Sequence, residues 1–89
     1  MVAGAGAPAK ANTLLNLAGV TQRELAFTSD TSPHKQRMYL PGSHIPITEP
    51  GLHRIMRPDY IVVLAWNWWD AITKSLCDVG AKFVNPRSL

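Results

Sequence analysis

The chain has a single cysteine, Cys77, in 89 residues. That excludes an intrachain disulfide framework and any metal site built from several thiolates. It suits a reducing compartment, and a cytoplasmic protein is expected. No apolar run approaches the roughly 20 residues that span a bilayer, so no membrane helix is expected. No basic segment followed by an apolar one succeeds Met1, so no signal peptide is read. Acidic residues are also few: six, against nine Lys and Arg, for a net charge of +3. The basic residues form no run or stripe, which argues against nucleic acid and leaves an anionic small molecule as the fitting partner.

What is present is enough for one small domain, taken as residues 1–89. The hydrophobic fraction is 46%, which is globular rather than disordered. A chain this short buries only about 60% of its unfolded surface. The opening "MVAGAGAPAK" has an unusually short apolar lead before its glycines. The expectation is a fragment of a longer protein, cut close to its first strand.

Punctuation and periodicity divide the chain. "VAGAGA" reads as a short strand and a glycine turn. Pro8 suits the start of a helix through "AKANTLLNLA", with Leu14, Leu15, Leu17 and Ala18 as its apolar face and Gly19 beyond its end. "ELAFTS" reads as a second strand. "HIPI" is a short third strand that Pro46 confines to an edge. Thr48 is placed to cap a short helix through "EPGLHRIM". "YIVVLAW" is continuous and β-branched, as a strand buried on both faces should be. Asn67 is the expected cap of a helix carrying Trp68, Ala71, Ile72, Leu76 and Val79, with Gly80 ending it. "KFVN" is the last strand and "PRSL" a tail. Strands alternating with helices predict an α/β, Rossmann-like three-layer fold with a mainly parallel sheet of about five strands. "YIVVL" is expected at its centre.

Ligands of such sheets bind beyond the carboxyl ends of the strands. Three features lie there. Gly4 to Ala9 match G-x-G-x-x-A between a strand and a helix, which lets backbone approach a diphosphate. Asp30 lies roughly 20 residues on, where dinucleotide folds hold a ribose. The same small residues also serve tight strand–helix packing, and Lys10 is either a phosphate contact or simply solvated. The second feature is the long connection "SDTSPHKQRMYLPGSHIPITEP". Connections over about 12–15 residues are uncommon and usually functional or disordered. Met38, Tyr39, Leu40, Ile45 and Ile47 make this one too apolar for disorder. His34 and His44 lie in it without nearby thiols or paired acids, a poor metal pattern. The third is "WNWWD": Trp66, Trp68 and Trp69 could stack a base or sugar, and for Trp68 a core position is favoured. No nucleophile–base–acid set is apparent, so no catalytic residue is assigned.

Taken together, "GAGAPAKANTLLN", "DTSPHKQRMYLPGSHIPI" and "PDYIVVLAWN" resemble the C-terminal domain of the S-adenosylmethionine-dependent C-methyltransferases of the deoxysugar and natural-product type. The similarity runs from about Gly4 to Val84. It implies a protein of three parts: a zinc-binding cysteine domain, a donor-binding domain with the catalytic residues, and this second Rossmann-like unit, which closes over the active site and helps hold a nucleotide-linked sugar. Zinc and S-adenosylmethionine would then belong to the other parts, with no cofactor held here. The resemblance places Gly6, Ala7, Lys10 and Asn12 in the segment facing the ligand's phosphates. It places Ser32, His34, Lys35 and Gln36 in the loop motif, continued by Pro41, Gly42 and His44 towards the substrate. Trp66 and Asn67 stand at the end of the central strand. Ala5 replaces an aromatic residue, Ala11 and Arg37 replace common glycines, and Ala65 replaces a common proline. A dinucleotide-binding fragment and a non-catalytic packing or dimerisation domain remain as alternatives.

Overall fold

The computed structural model describes residues 1–86. Arg87 to Leu89 of the expected tail lie outside the described residues. Five strands, β1 (Val2–Ala5), β2 (Thr28–Ser29), β3 (Ile47–Thr48), β4 (Tyr60–Val63) and β5 (Lys82–Val84), form one sheet in the order β3-β2-β1-β4-β5. Every adjacent pair is parallel. Three helices connect them: α1 (Ala9–Leu17), α2 (Leu52–Met56) and α3 (Trp69–Ser75), with 3-10 turns at Trp66–Trp68 and Cys77–Val79. The α/β, parallel, Rossmann-like expectation is borne out. β4 is interior as expected, but β1 takes the middle position.

Pleating assigns the two faces. In β4, Ile61 packs on a cluster with Ala5, Leu76 and Val79, on the α3 side. Leu64 packs the other way, with Ala7, Ala11, Leu15, Leu25, Ile45 and Ile47. Beyond Val2 the middle strand is made of Ala and Gly, because layers press on it from both sides. A Cβ on Gly4 would stand 2.7 Å from Thr28 Oγ1 and 3.1 Å from Leu64 Cδ1.

Several local expectations are corrected. Only Ala11 and Leu15 of α1 are buried; Leu14 and Leu17 are 45% and 82% exposed. The helix is short, and its sheet-facing stripe is filled by one small and one large residue. Thr48 belongs to β3 and does not cap α2, which starts at Leu52 after Gly51. Asn67 does not cap α3: a 3-10 turn intervenes, and α3 has no side-chain cap. Trp68 is 67% exposed rather than in the core, because that turn swings it outward. Trp66 instead packs against the α1-side cluster.

The long connection is a folded hairpin. Arg37 and Leu40 N–H groups donate to Ile47 and Ile45 carbonyls, and Ile47 N–H returns a bond to Met38. Leu40, Ile45 and Ile47 point into the α1-side core. Its tip is pinned where Asn16 Nδ2 donates to the Pro41 carbonyl at 3.0 Å. Gly42, at φ 86°, has no room there for a Cβ, which would stand 2.5 Å from Asn16 Oδ1. Arg37, at φ 69°, adopts a backbone that favours glycine.

Candidate functional site

The chain leaves β1 towards β2 and β3, then crosses back through α2 to β4. The topological switch point therefore lies between β1 and β4, where open α/β sheets bind ligands. A cleft of about 580 Å³ lies there. Ala5, Gly6, Ala7 and Ser29 line it from the strand ends; Ala71, Ile72, Ser75 and Leu76 line it from the α3 side. Asp30, Lys35 and the exposed Trp68 also border it.

The glycine turn has the backbone its sequence predicts. Gly6 sits at φ 98°, and a Cβ there would stand 2.5 Å from Ala65 Cβ and 2.9 Å from Ala65 N. Only glycine lets β1 and β4 approach this closely. The turn's donors are partly taken by the protein itself. Ala7 N–H donates to Asp30 Oδ2 at 3.1 Å. Asp30 Oδ1 accepts from Ser32 N–H at 2.8 Å. Gln36 Nε2 donates to the Asp30 carbonyl at 2.9 Å. Lys35 Nζ donates to the Ala7 carbonyl at 3.0 Å and lies 3.9 Å from Asp30 Oδ2. Asp30 thus clamps the glycine turn to the start of the loop. Each of its oxygens thus already accepts one backbone N–H of the protein itself.

Of the residues expected at the site, Gly6, Ala7 and Lys35 line the cleft. Ser32 and Gln36 reach it through Asp30. Lys10, His34, His44 and Asn67 are exposed and do not line it. His44 is beyond the hairpin tip, at φ 59°. Asn12 is half-buried on α1, with its Oδ1 buried and without a partner among the described residues. Trp66 is turned into the α1-side core.

Two residues enter that sequence reasoning passed over. Ser29, the last residue of β2, lines the cleft and is buried. Its hydroxyl lies 2.8 Å from Nε2 of His53, the fully buried residue of α2. The His53 ring also stacks at a tilt on Phe27, centroids 5.1 Å apart. Burial, and secondarily the Arg54 charge, lowers its pKa from 6.5 to about 4, so at neutral pH the imidazole is uncharged. The sequence offered one signal, a histidine among apolar residues in "GLHRIM", but nothing there linked it to Ser29.

The family model describing the C-methyltransferase C-terminal domain matches residues 1–86. The chain is 42% identical over 88 residues to "C-methyltransferase NovU" of Streptomyces niveus. That match covers 96% of this chain and 21% of the relative.

Proposed function

This chain belongs to the C-methyltransferase C-terminal domain family, and on that premise we propose that it binds the methyl acceptor and closes the active site of an S-adenosylmethionine-dependent C-methyltransferase. The acceptor is a nucleotide-linked sugar or a related anionic metabolite. The observation that carries this reading is the cleft at the β1–β4 switch point. It joins an apolar wall of Ala71, Ile72 and Leu76 to an exposed indole and a lysine. Apolar surface beside a few convergent polar groups suits a sugar or base, which offers both flat apolar faces and hydroxyls.

In this reading, S-adenosylmethionine supplies an electrophilic methyl group from another domain of the same polypeptide. The present residues bind and orient the acceptor and exclude water as the domains meet. Lys35, and Lys10 at the helix start, contribute point charges towards a diphosphate. In the same reading zinc belongs to another part of that polypeptide. No described helix is long and apolar enough to cross a membrane, and the setting proposed is the cytoplasm.

A packing or dimerisation role is a second reading, favoured by Leu17 and Ile55, which are 82% and 76% exposed. Titration of the chain with UDP-glucose by amide NMR separates the two. The proposal expects shifts at Gly6 to Asn12 together with Ser32 to Gln36, at about millimolar affinity, or roughly −4 kcal/mol. A flat titration favours packing. Shifts with NAD instead favour the dinucleotide alternative. In the complete enzyme, Lys10→Ala and Lys35→Ala should raise KM; if both leave KM and turnover unchanged, the phosphate role is wrong.

A further inference from the structure

Ser29 and His53 form a buried pair at the edge of the cleft that no part of the family resemblance assigns. The geometry restricts how the pair shares its protons. His53 Nδ1 is buried and has no partner among the described residues. A neutral imidazole carries one N–H and one bare nitrogen. An orphaned buried N–H is rarer in proteins than an under-satisfied acceptor. With the proton on Nε2, the ring donates to Ser29 Oγ across the 2.8 Å contact and no buried N–H is left unpaired. The other tautomer leaves Nδ1–H without a partner among the described residues.

In that tautomer Ser29 Oγ accepts from His53, and its own O–H points elsewhere. No described residue accepts from it: its carbonyl receives Gly6 N–H, and its hydroxyl contacts only His53. Yet Ser29 lines the cleft, beside Asp30 and across from the α3 wall. A buried hydroxyl proton without an acceptor is costly, and the cleft is where one can be supplied.

We propose that Ser29 is a ligand-binding residue whose hydroxyl donates a hydrogen bond to an oxygen acceptor of the bound substrate, and that His53 is its positioning residue. Lys35 contributes charge; Ser29 contributes direction, by offering a donor and not an acceptor. The site thus favours a carbonyl, ether, hydroxyl or phosphoryl oxygen over an N–H at that point of the substrate. This rests on the acceptor-binding reading above and names one of its contacts.

Two measurements on the 89-residue chain test it. The first is the His53 tautomer, from the side-chain nitrogen shifts at neutral pH. The expected state has hydrogen on Nε2 and a bare Nδ1; the reverse makes Ser29 the donor to His53 and overturns the proposal. The second is UDP-glucose affinity by amide NMR, with the spectrum of each variant reporting that it is folded. Ser29→Ala should bind about five- to tenfold more weakly, the loss of one hydrogen bond. Ser29→Thr, which keeps the hydroxyl, should stay near the parent. His53→Phe should weaken binding while leaving the Trp68 and Lys35 amides shifted as in the parent. Unchanged affinity in folded Ser29→Ala overturns this inference alone. Failure of the parent chain to bind overturns it together with the acceptor-binding reading.

Discussion

The carboxylate of Asp30 accepts the backbone N–H of Ala7 at 3.1 Å, across 23 residues of sequence. In dinucleotide-type folds a donor at this turn faces a phosphate; here the protein supplies the anion. The same carboxylate holds Ser32 N–H, and Lys35 lies beside it. One side chain therefore orders both the glycine turn and the loop entry, the two segments that border the cleft. Asp30→Ala should cost about 1–3 kcal/mol, because it orphans the donor of buried Ala7 along with that of Ser32. Urea unfolding measures it, and a loss below about 0.5 kcal/mol would show that the clamp is idle.

Gly6→Ala should be among the most damaging single-methyl changes in the chain. It combines φ 98° with a Cβ placed 2.5 Å from Ala65 Cβ. The backbone term is about 1–2 kcal/mol and the overpacking term about 1–3 kcal/mol. Adding Ala65→Gly should recover only part, since Ala65 N stands 2.9 Å away as well. Full recovery in thermal unfolding would mean that the backbone angle is not strained.

Arg37→Gly should do the opposite. Arg37 sits at φ 69° and is exposed, and among the described residues only its backbone N–H is engaged, to Ile47. Glycine removes the left-handed penalty of about 1–2 kcal/mol and returns about half in unfolded-state freedom. A net gain of up to about 1 kcal/mol is expected in chemical denaturation. Destabilisation would point to an unseen role for the guanidinium in the fold.

His53 makes stability depend on pH. Its folded-state pKa is lowered to about 4 from 6.5. A lowered histidine pKa means that the unfolded chain binds the proton more tightly, so acid favours unfolding. The contribution is complete above pH 6.5 and is lost progressively between 6.5 and about 4. It amounts to about 3 kcal/mol at most, at 1.36 kcal/mol per unit. His53→Gln should flatten stability over that window, measured as the urea midpoint at successive pH values. An unchanged pH profile would assign the acid sensitivity to the carboxylates.

Much of this molecule was legible one residue at a time. Gly, Pro and β-branched runs act through local sterics, which is why β1, the glycine turn, α1, β4 and the parallel arrangement follow from the chain alone. What reasoning along the chain missed depends on distance in space. Thr48 and Asn67 are good caps in isolation, but a strand and a 3-10 turn claim those positions. Leu14 and Leu17 have helical spacing, yet only Ala11 and Leu15 of α1 are buried. The Asp30 clamp joins residues 23 apart and the Ser29–His53 pair residues 24 apart. No periodicity encodes such meetings. The sequence by itself determined which elements form and which family the chain resembles, because both rest on local residue preferences. Only the tertiary structure decided which side chains line the cleft, because burial and hydrogen bonding there are settled by strand order, which brings the ends of β1, β2 and β4 to one edge of the sheet.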